Sequence, residues 1–327
     1  MNYRRFGKTD FMASEISLGT WQLGSRWGEP FNAEVAEQTL QTAVDNGINL
    51  FDTADIYQDG ESEKAIGRFL LKNKDKKIFV VTKMGRGLNP HVAEGYNEDN
   101  FRRFVDRSLS NQQRDALDLT LLHCPPIPVF SDRKVFDALD KIKAEGKIKH
   151  YGVSIEKVEE GLAALDYDIS AIEVIFNMFR MKPAETLFRK AAEKDVAIIV
   201  RVPLASGLLT GKYTAETSFG KDDHRSYNRN GEQFDKGETF SGVDYLIGLR
   251  AADRLKAELK CPNLGASALR WILMHKEVSI VIPGASRAEQ IEENVTASLL
   301  PPFTPDEMAV VQRIYDEEIK ASVHHLW

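Results

Sequence analysis

Residues 16–24 decide between two folds, and they read Ile16-Ser17-Leu18-Gly19-Thr20-Trp21-Gln22-Leu23-Gly24. An apolar run passes here into a turn that could follow the first strand of an α/β protein. An open, doubly wound sheet for dinucleotides carries Gly-x-Gly-x-x-Gly at this point. In this turn only the first and sixth positions are glycine. The stretch therefore argues against the open sheet and favours a closed barrel.

Outward from this turn, short apolar runs alternate with segments of helical apolar spacing. The runs are residues 16–18, 48–51, 78–82, 119–122, 151–153, 172–176, 197–200 and 280–282. Between them, Val135, Phe136, Leu139 and Ile142 form one of the helical stripes. Such alternation predicts parallel strands joined by crossover helices. Eight strands predict a (β/α)8 TIM barrel, with residues 1–327 forming one domain.

Three segments depart from a minimal barrel. Residues 1–15 carry the turn Gly7-Lys8-Thr9-Asp10 and predict an N-terminal β-hairpin. Residues 214–242, after the seventh strand, are long and polar, which predicts either a functional lid or a disordered loop. Residues 304–320 begin with Thr304-Pro305-Asp306-Glu307, a helix start, and predict an extra C-terminal helix.

Bulk composition excludes several classes of protein. With 43% apolar and 28% charged residues the chain is ordinary for a globular protein. A net charge of −6 argues against a nucleic-acid or anionic-membrane surface. No run approaches the roughly 20 apolar residues of a membrane span, and no signal-like run follows the basic N-terminus. Only Cys124 and Cys261 occur, so we expect two reduced thiols and a cytoplasmic protein.

Polar residues with complementary chemistry follow three adjacent strands. Asp52 and Tyr57 follow the second strand, Lys83 the third and His123 the fourth. In a closed parallel barrel, the residues just past the carboxyl end of each strand face the active site. Each residue taken singly has an ordinary structural explanation, such as a helix cap or a solvated side chain. Four complementary groups at one mouth are much less expected by chance.

This combination suits the reduction of a carbonyl group. Hydride arriving at a carbonyl carbon leaves negative charge on the oxygen, which then needs a proton. Tyr57 can supply one, and the Lys83 ammonium would stabilise the phenolate left behind. Asp52 would hold Lys83 in place and offset the cost of burying its charge. His123 would orient the carbonyl and stabilise charge on its oxygen.

The same blocks resemble the signature of the aldo-keto reductase superfamily. They are Phe51-Asp52-Thr53-Ala54-Asp55-Ile56-Tyr57, Glu61-Ser62-Glu63-Lys64-Ala65-Ile66-Gly67, Val81-Thr82-Lys83 and Leu121-Leu122-His123. The resemblance covers nearly the whole chain. It implies a catalytic tetrad of Asp52, Tyr57, Lys83 and His123. It also implies that the chain reduces aldehydes or ketones to alcohols with NADPH, with Tyr57 as general acid.

By the same resemblance, NADPH lies extended across the barrel mouth, and NADP is preferred over NAD. Ser154 would meet the nicotinamide carboxamide, and Glu173, where the family usually has Gln, could accept a hydrogen bond from it. Arg201 stands where many members place an aromatic ring against the nicotinamide. Its charge beside a ring that is cationic when oxidised predicts weaker binding of NADP+ than of NADPH. Ser286 and Arg287 would bind the 2′-phosphate at the start of a helix.

The resemblance thus implies a long cofactor site and a shorter substrate site. The cofactor residues are Gly19, Thr20, Trp21, Asp52, Ser154, Glu173, Arg201, Val202, Pro203, Leu204, Ser206, Gly207, Leu208, Lys212, Arg225, Gly284, Ser286, Arg287, Gln290, Glu293 and Asn294. The substrate residues are Trp21, Trp27, Tyr57, His123 and Phe130. No ligand spacing for a metal is present, and His324, His325 and Trp327 are interpreted as tail residues.

Two other functions stay open at this point. A lysine at a barrel strand end can be the nucleophile of a Schiff-base aldolase or lyase, with Lys83 in that role. The chain could instead be a non-catalytic, cofactor-binding regulatory subunit, since ion-channel β subunits share this fold. The sequence identifies neither the physiological carbonyl substrate nor the oligomeric state.

Overall fold

The computed structural model describes residues 1–25 and 27–327, and its strands form a two-stranded hairpin and an eight-stranded parallel sheet. The hairpin strands are β1 (Tyr3–Arg5) and β2 (Met12–Ser14). The strands of the large sheet are β3 (Leu18–Gly19), β4 (Leu50–Asp52), β5 (Phe79–Met84), β6 (Leu117–His123), β7 (Ile148–Ile155), β8 (Ala171–Ile175), β9 (Ala197–Arg201) and β10 (Val278–Val281). Neighbours along the chain are neighbours in the sheet.

The two edges of the large sheet meet and close it. Ile16 forms a parallel bridge with Val281, and Gly19 forms one with Gly284. The Ser17 N–H donates to the Val281 carbonyl at 2.9 Å. A closed sheet of eight parallel strands with helices between them is the (β/α)8 barrel, so the predicted fold is confirmed and the open sheet is excluded.

Register brings the strand ends to one rim. Asp52 is paired with Val81 across β4 and β5, and His123 with Ser154 across β6 and β7. Ser154 is paired in turn with Glu173 on β8. Because the strands are parallel, polar residues at the carboxyl ends of β4 to β9 share one mouth.

Helices surround the barrel and continue past the last strand. They are α1 (Ala33–Asp45), α2 (Glu61–Lys72), α3 (Glu98–Gln112), α4 (Arg133–Ala144), α5 (Val158–Ala164), α6 (Leu187–Glu193), α7 (His224–Tyr227), α8 (Tyr245–Glu258), α9 (Leu264–Leu273), α10 (Ala288–Val295), α11 (Pro305–Ile314) and α12 (Lys320–Val323). The stripe predicted in α4 is buried against the barrel, as expected for an amphipathic helix.

The predicted hairpin is present and covers the amino-terminal end of the barrel. β1 pairs antiparallel with β2, and Phe6 between them packs edge-on against Phe79 with ring centroids 5.5 Å apart. Gly7 has a positive φ of 53°, and a Cβ there would lie 2.6 Å from the Ala197 nitrogen. The close approach of the turn to β9 therefore requires glycine at this position.

The 214–242 segment is folded rather than irregular. It contains α7 and two short 3-10 turns, Lys236–Glu238 and Phe240–Gly242. Asn228 is fully buried, and its side-chain oxygen accepts from the Gln233 and Phe234 backbone N–H groups at 2.8 and 2.9 Å. Of the two expectations for this segment, the disordered loop is wrong.

The C-terminal residues also pack on the body of the protein. After α11 and a π-helical turn, Tyr315–Ile319, the chain reaches Trp327, which is buried. The Arg180 guanidinium stacks on its ring at 3.8 Å from the centroid. The interpretation of Trp327 as a tail residue is therefore wrong. Among the helices that the structure describes, none has the length and apolar character needed to cross a bilayer.

The predicted extra helix α11 begins with a reciprocal cap. Thr304 Oγ1 accepts from the Glu307 N–H at 3.2 Å, and the Glu307 carboxylate accepts from the Thr304 N–H at 2.7 Å. We expect Thr304→Ala to lower the free energy of unfolding by about 1 kcal/mol, because an orphan N–H loses its partner. Urea unfolding measures this. Thr304→Ser should retain most of the stability, and equal losses in both variants would contradict the capping role.

Candidate active site

The centre of the mouth is the buried ammonium of Lys83. Its Nζ donates to Asp52 Oδ1 at 2.6 Å and to the Thr53 carbonyl at 3.0 Å, and it lies 3.5 Å from the Tyr57 phenol oxygen. Glu173 Oε2 lies 3.4 Å away. Burial would lower the pKa of Lys83, but the charges of Asp52 and Glu173 raise it above its usual value. The amine is therefore held as an ammonium.

The Tyr57 phenol lies next to this ammonium, and the tyrosine side chain is only partly buried. Burial raises the pKa of Tyr57 above its usual value, and the Lys83 charge opposes the rise without cancelling it. Lys83 therefore favours the phenolate, as predicted, but burial has the larger effect on the pKa. Near neutral pH the phenol carries its proton, which is the form that a proton donor needs.

His123 stands beside the phenol. Its ring meets the Tyr57 ring edge-on, with centroids 6.1 Å apart. Burial and the charges of Arg86 and Lys83 lower the pKa of His123 well below its usual value. The imidazole is therefore neutral near pH 7. Its Nδ1 is buried and has no hydrogen-bond partner in the described part of the chain.

A second charged cluster adjoins the first at Arg201. Its guanidinium lies 2.8 Å from Glu238, 3.1 Å from Glu156 and 3.8 Å from Glu173. Glu173 thus contacts both the Lys83 ammonium and Arg201. Burial would raise the pKa of Glu238, but the charges of Arg201 and Arg86 lower it to about 2. The interior of the mouth therefore holds an array of two buried cations in contact with several carboxylates.

This array changes the expectation for Arg201. Glu156 and Glu238, which sequence reasoning missed, offset the charge of Arg201. The predicted weakening of NADP+ binding depended on an unpaired positive charge, which this array does not provide. Glu156 directly follows the β7 block and could have been found as a partner for a buried arginine. Glu238 could not, because it comes from the 214–242 segment, whose fold has no periodic pattern.

Three potential metal ligands also meet here. Atoms of Cys124, Glu156 and Glu238 lie within 4.8 Å of one another. Arg201 Nη2 is 3.6 Å from the Cys124 sulfur and 3.1 Å from a Glu156 oxygen, so a guanidinium already supplies the positive charge. Burial raises the pKa of the Cys124 thiol well above its usual value, which disfavours the thiolate that metals bind.

Aromatic rings pack over the Tyr57 side chain. Trp21 stacks on Tyr57 with centroids 6.4 Å apart and meets Trp27 edge-on at 4.7 Å. His224 lies 5.1 Å from Trp21 and 4.9 Å from Trp27. The 214–242 segment thus covers the predicted substrate side. Phe130 differs from the other predicted substrate residues, because it is buried in the core and its ring offers a substrate almost no surface.

The packing of His224 predicts a response to acid. Burial lowers the pKa of His224 to about 4, below its unfolded value, so its stabilising contribution is complete at neutral pH and is lost as pH falls. Between about pH 7.5 and pH 5 we expect the free energy of unfolding to fall by about 2 kcal/mol more in the wild type than in His224→Phe. Urea unfolding of both proteins at the two pH values checks this. Parallel pH profiles would contradict it.

The turn after β9 is joined to the 214–242 segment. Ser206 Oγ accepts from the Phe240 N–H at 3.0 Å and donates to the Glu238 carbonyl at 3.1 Å. Arg225 pairs with Asp223 at 2.5 Å, and its Nη1 lies 3.5 Å from the Ser206 carbonyl. The predicted cofactor residues in this turn are Val202, Pro203, Leu204, Gly207 and Leu208. The side chain of Leu208 is fully buried, so only the backbone of this residue could contact a cofactor.

The predicted adenosine end lies at the start of α10. The Ser286 N–H donates to Gln290 at 2.8 Å, and Arg287 is the N-terminal cap residue with its side chain 57% exposed. Lys212 and Glu293 form an exposed pair at 2.9 Å and join this helix to the turn after β9. The remaining predicted cofactor residues lie near this helix or within it. Gly284 forms a bridge with Gly19, which precedes Thr20, and Asn294 lies in α10.

These residues fit a nicotinamide dinucleotide. Glu173 Oε2 is buried and accepts no hydrogen bond from the described residues, so it could accept one from a carboxamide NH2. Ser154 Oγ lies 3.3 Å from the other oxygen of Glu173. At the far end, Glu289 is the only carboxylate near the Arg287 guanidinium among the described residues, at 3.9 Å, so the guanidinium could bind a phosphate.

Comparison with known proteins gives first a class, the NAD(P)-dependent oxidoreductases, and then a family. The model of the Aldo/keto reductase family matches residues 15–316. The chain therefore belongs to the aldo/keto reductase family, as the signature blocks predicted, and it is an NAD(P)-dependent oxidoreductase.

Individual relatives agree with this assignment. The chain is 29% identical over 332 aligned residues to the uncharacterized oxidoreductase YqkF of Bacillus subtilis (strain 168), with 99% of this chain and 96% of that protein covered. It is 27% identical to the NADH-specific methylglyoxal reductase of Escherichia coli (strain K12), covering 89% and 91%. The structure of the glycerol dehydrogenase AKR11B4 from Gluconobacter oxydans matches with a TM-score of 0.79 and 27% identity, covering 97% and 96%.

Proposed function

We propose that this enzyme reduces small aldehydes or ketones to alcohols with NADPH, and that Tyr57 is the general acid. The observation that carries the proposal is the distance of 3.5 Å between the Lys83 ammonium and the Tyr57 oxygen. The aromatic ring of Trp21 stacks on the Tyr57 ring at this end of the barrel. Reduction of a carbonyl needs a proton at its oxygen, and this phenol is the protonated, partly accessible acid beside a fixed cation.

The chain's own residues would then act in a defined order. The substrate oxygen accepts hydrogen bonds from the Tyr57 hydroxyl and from the neutral His123 ring. The bound reduced nicotinamide supplies the hydride. As charge develops on the oxygen, Tyr57 transfers its proton to it, and the Lys83 ammonium stabilises the phenolate that remains. Asp52 keeps Lys83 oriented at 2.6 Å throughout.

The cofactor would be held along the residues named above. Ser154 and Glu173 would bind the carboxamide, the turn after β9 the pyrophosphate, and Ser286 with Arg287 the 2′-phosphate. The exposed guanidinium of Arg287 supports the preference for NADP over NAD. The relative named as NADH-specific shows that the choice must be measured on this chain. We also propose that residues 1–327 act as one barrel domain in the cytoplasm, which two unpaired thiols support.

The environment of Lys83 weighs against a Schiff-base lyase. A Schiff-base nucleophile needs a neutral amine, and such lysines have lowered pKa values. The Asp52 and Glu173 carboxylates instead raise the pKa of Lys83 and hold its proton. A purely regulatory, cofactor-binding role is the remaining alternative, and turnover decides it.

The test is steady-state oxidation of NADPH and of NADH by the purified full chain with a panel of aldehydes and ketones. The proposal predicts turnover of several aldehydes, with kcat/KM higher for NADPH than for NADH. Tight NADPH binding without turnover of any carbonyl would contradict it and favour the regulatory alternative. Higher kcat/KM with NADH would contradict only the cofactor preference.

A further inference from the structure

Arg86 is an arginine at the mouth that the proposed mechanism does not use. It follows β5 by two residues, in the loop that leaves the mouth after Lys83. Its side chain is 21% exposed, whereas those of Lys83 and Arg201 are 0% and 9% exposed. Among these three cations it is the one that a solute can reach most easily.

The guanidinium of Arg86 is poorly satisfied by the protein. Among residues 1–25 and 27–327 it makes no hydrogen bond, and its nearest carboxylate oxygen, on Glu156, is 4.0 Å away. That carboxylate already lies 3.1 Å from Arg201 through its other oxygen. Arginine presents several N–H donors in a planar fork, and an arginine with so few partners is suited to accept a ligand.

Contacts place Arg86 beside the reaction site. Its guanidinium carbon lies 5.6 Å from the Phe234 ring centre, Phe234 lies 6.3 Å from Trp21, and Trp21 stacks on Tyr57. On the other side, its charge is among the causes that lower the pKa of His123. Arg86 therefore lies next to Phe234 and close enough to His123 for its charge to act on that ring.

The acids of the mouth do not block an incoming anion. Asp52 is paired with Lys83 at 2.6 Å, and Glu238 with Arg201 at 2.8 Å. Burial raises the pKa of Glu156 to about 7, against the opposing charge of Arg201, so this acid carries only part of its negative charge near neutral pH. Among the described residues, Arg86 thus has no closely paired carboxylate, since its nearest carboxylate oxygen is 4.0 Å away.

We propose that Arg86 binds a carboxylate on the substrate, and that this enzyme favours carbonyl compounds that also carry a carboxylate. The inference rests on the proposed carbonyl reduction and specifies its substrate class. A planar guanidinium can bind a carboxylate through two parallel N–H···O bonds, which fixes the direction of the substrate as well as its position. The side chains of Trp21, Trp27 and Phe234 then pack against the carbon skeleton between the carbonyl group and the carboxylate of the substrate.

The test compares matched substrates that differ in charge and are similar in size. Two such pairs are para-carboxybenzaldehyde with para-isopropylbenzaldehyde, and succinic semialdehyde with isocaproaldehyde. The wild type should prefer the acid of at least one pair. In Arg86→Met the ratio of kcat/KM for that acid to kcat/KM for its neutral partner should fall about 10- to 100-fold, chiefly through the KM of the acid.

Two further variants separate binding from structure. Arg86→Lys keeps the charge without the fork and should retain part of the preference. Arg103→Met removes an exposed arginine on α3 that donates to Asn100 at 2.6 Å, and it should leave the ratio unchanged. An unchanged ratio in Arg86→Met, or an equal fall for acid and neutral substrates, would overturn the proposal.

A binding measurement decides the matter even without turnover. Quenching of tryptophan fluorescence gives the dissociation constant of para-(hydroxymethyl)benzoate, the alcohol product of the aromatic acid. Arg86→Met should weaken its binding about 10- to 100-fold. Equal affinity in wild type and variant overturns the role of Arg86, whereas absence of turnover with every aldehyde overturns only the reductase proposal.

Discussion

Replacing Tyr57 with phenylalanine is expected to lower kcat for aldehyde reduction by about 10²- to 10⁴-fold, the usual range for a positioned general acid. The substitution removes one hydroxyl and leaves the ring that stacks under Trp21 in place. Without the phenol, the oxygen that gains charge would have only His123 and water as proton sources. Because cofactor contacts are untouched, the dissociation constant of NADPH should stay within about twofold. Stopped-flow and steady-state assays measure both quantities.

Tyr167→Phe is the matched control for this variant. Tyr167 lies between α5 and β8, at the other end of the barrel, where its ring stacks on Phe136 at 3.6 Å. Loss of its hydroxyl should leave kcat unchanged. If Tyr57→Phe retained more than about a tenth of wild-type kcat, a general-acid role would be untenable for this phenol.

Replacing Lys83 with methionine is expected to damage both activity and stability. The ammonium is fully buried and contacts Asp52 at 2.6 Å and Glu173 at 3.4 Å, so its loss leaves two buried carboxylates without their shared cation. Breaking such a pair costs about 3–5 kcal/mol of the free energy of unfolding. We expect kcat to fall by at least about 10²-fold as well, because the phenolate at Tyr57 loses its stabilising charge. Urea unfolding and kcat measurements test the two effects.

Lys141→Met is the control for the stability measurement. Lys141 pairs with Glu98 at 2.9 Å, but its side chain is 62% exposed, and exposed pairs contribute at most about 1 kcal/mol. Comparing the two variants separates the effect of losing a buried cation on the free energy of unfolding from the effect of losing an exposed ion pair. Equal small losses in both variants would show that the Lys83 ammonium is not needed to hold the mouth together.

Much of the barrel and the centre of its mouth followed from local sequence. Strand ends are predictable because apolar runs stop at definite residues, and parallel pairing then brings those ends together. The sequence alone therefore groups Asp52, Tyr57, Lys83 and His123, and the structure places the ammonium of Lys83 2.6 Å from Asp52 and 3.5 Å from the Tyr57 oxygen.

The remaining features depend on tertiary packing that no local pattern records. Glu238 reaches Arg201 from a segment with no periodicity, so its contact with that arginine could not be foreseen. The rise in the pKa of Tyr57 could not be predicted from the sequence, because burial, which only the fold determines, outweighs the Lys83 charge. Trp327 looked like a tail residue because a single aromatic has no partner in sequence, yet it packs on Arg180.

The most direct test of the central claim is the single-turnover rate of deuteride transfer to an aldehyde from NADPH that carries deuterium at both positions of nicotinamide C4. We predict deuterium on the carbinol carbon of the product in the wild type, and a rate slower by about 10²-fold or more in Tyr57→Phe. Transfer at the same rate in both proteins would contradict the claim that the phenol beside Lys83 protonates the reduced oxygen, and a product without deuterium would contradict hydride transfer itself.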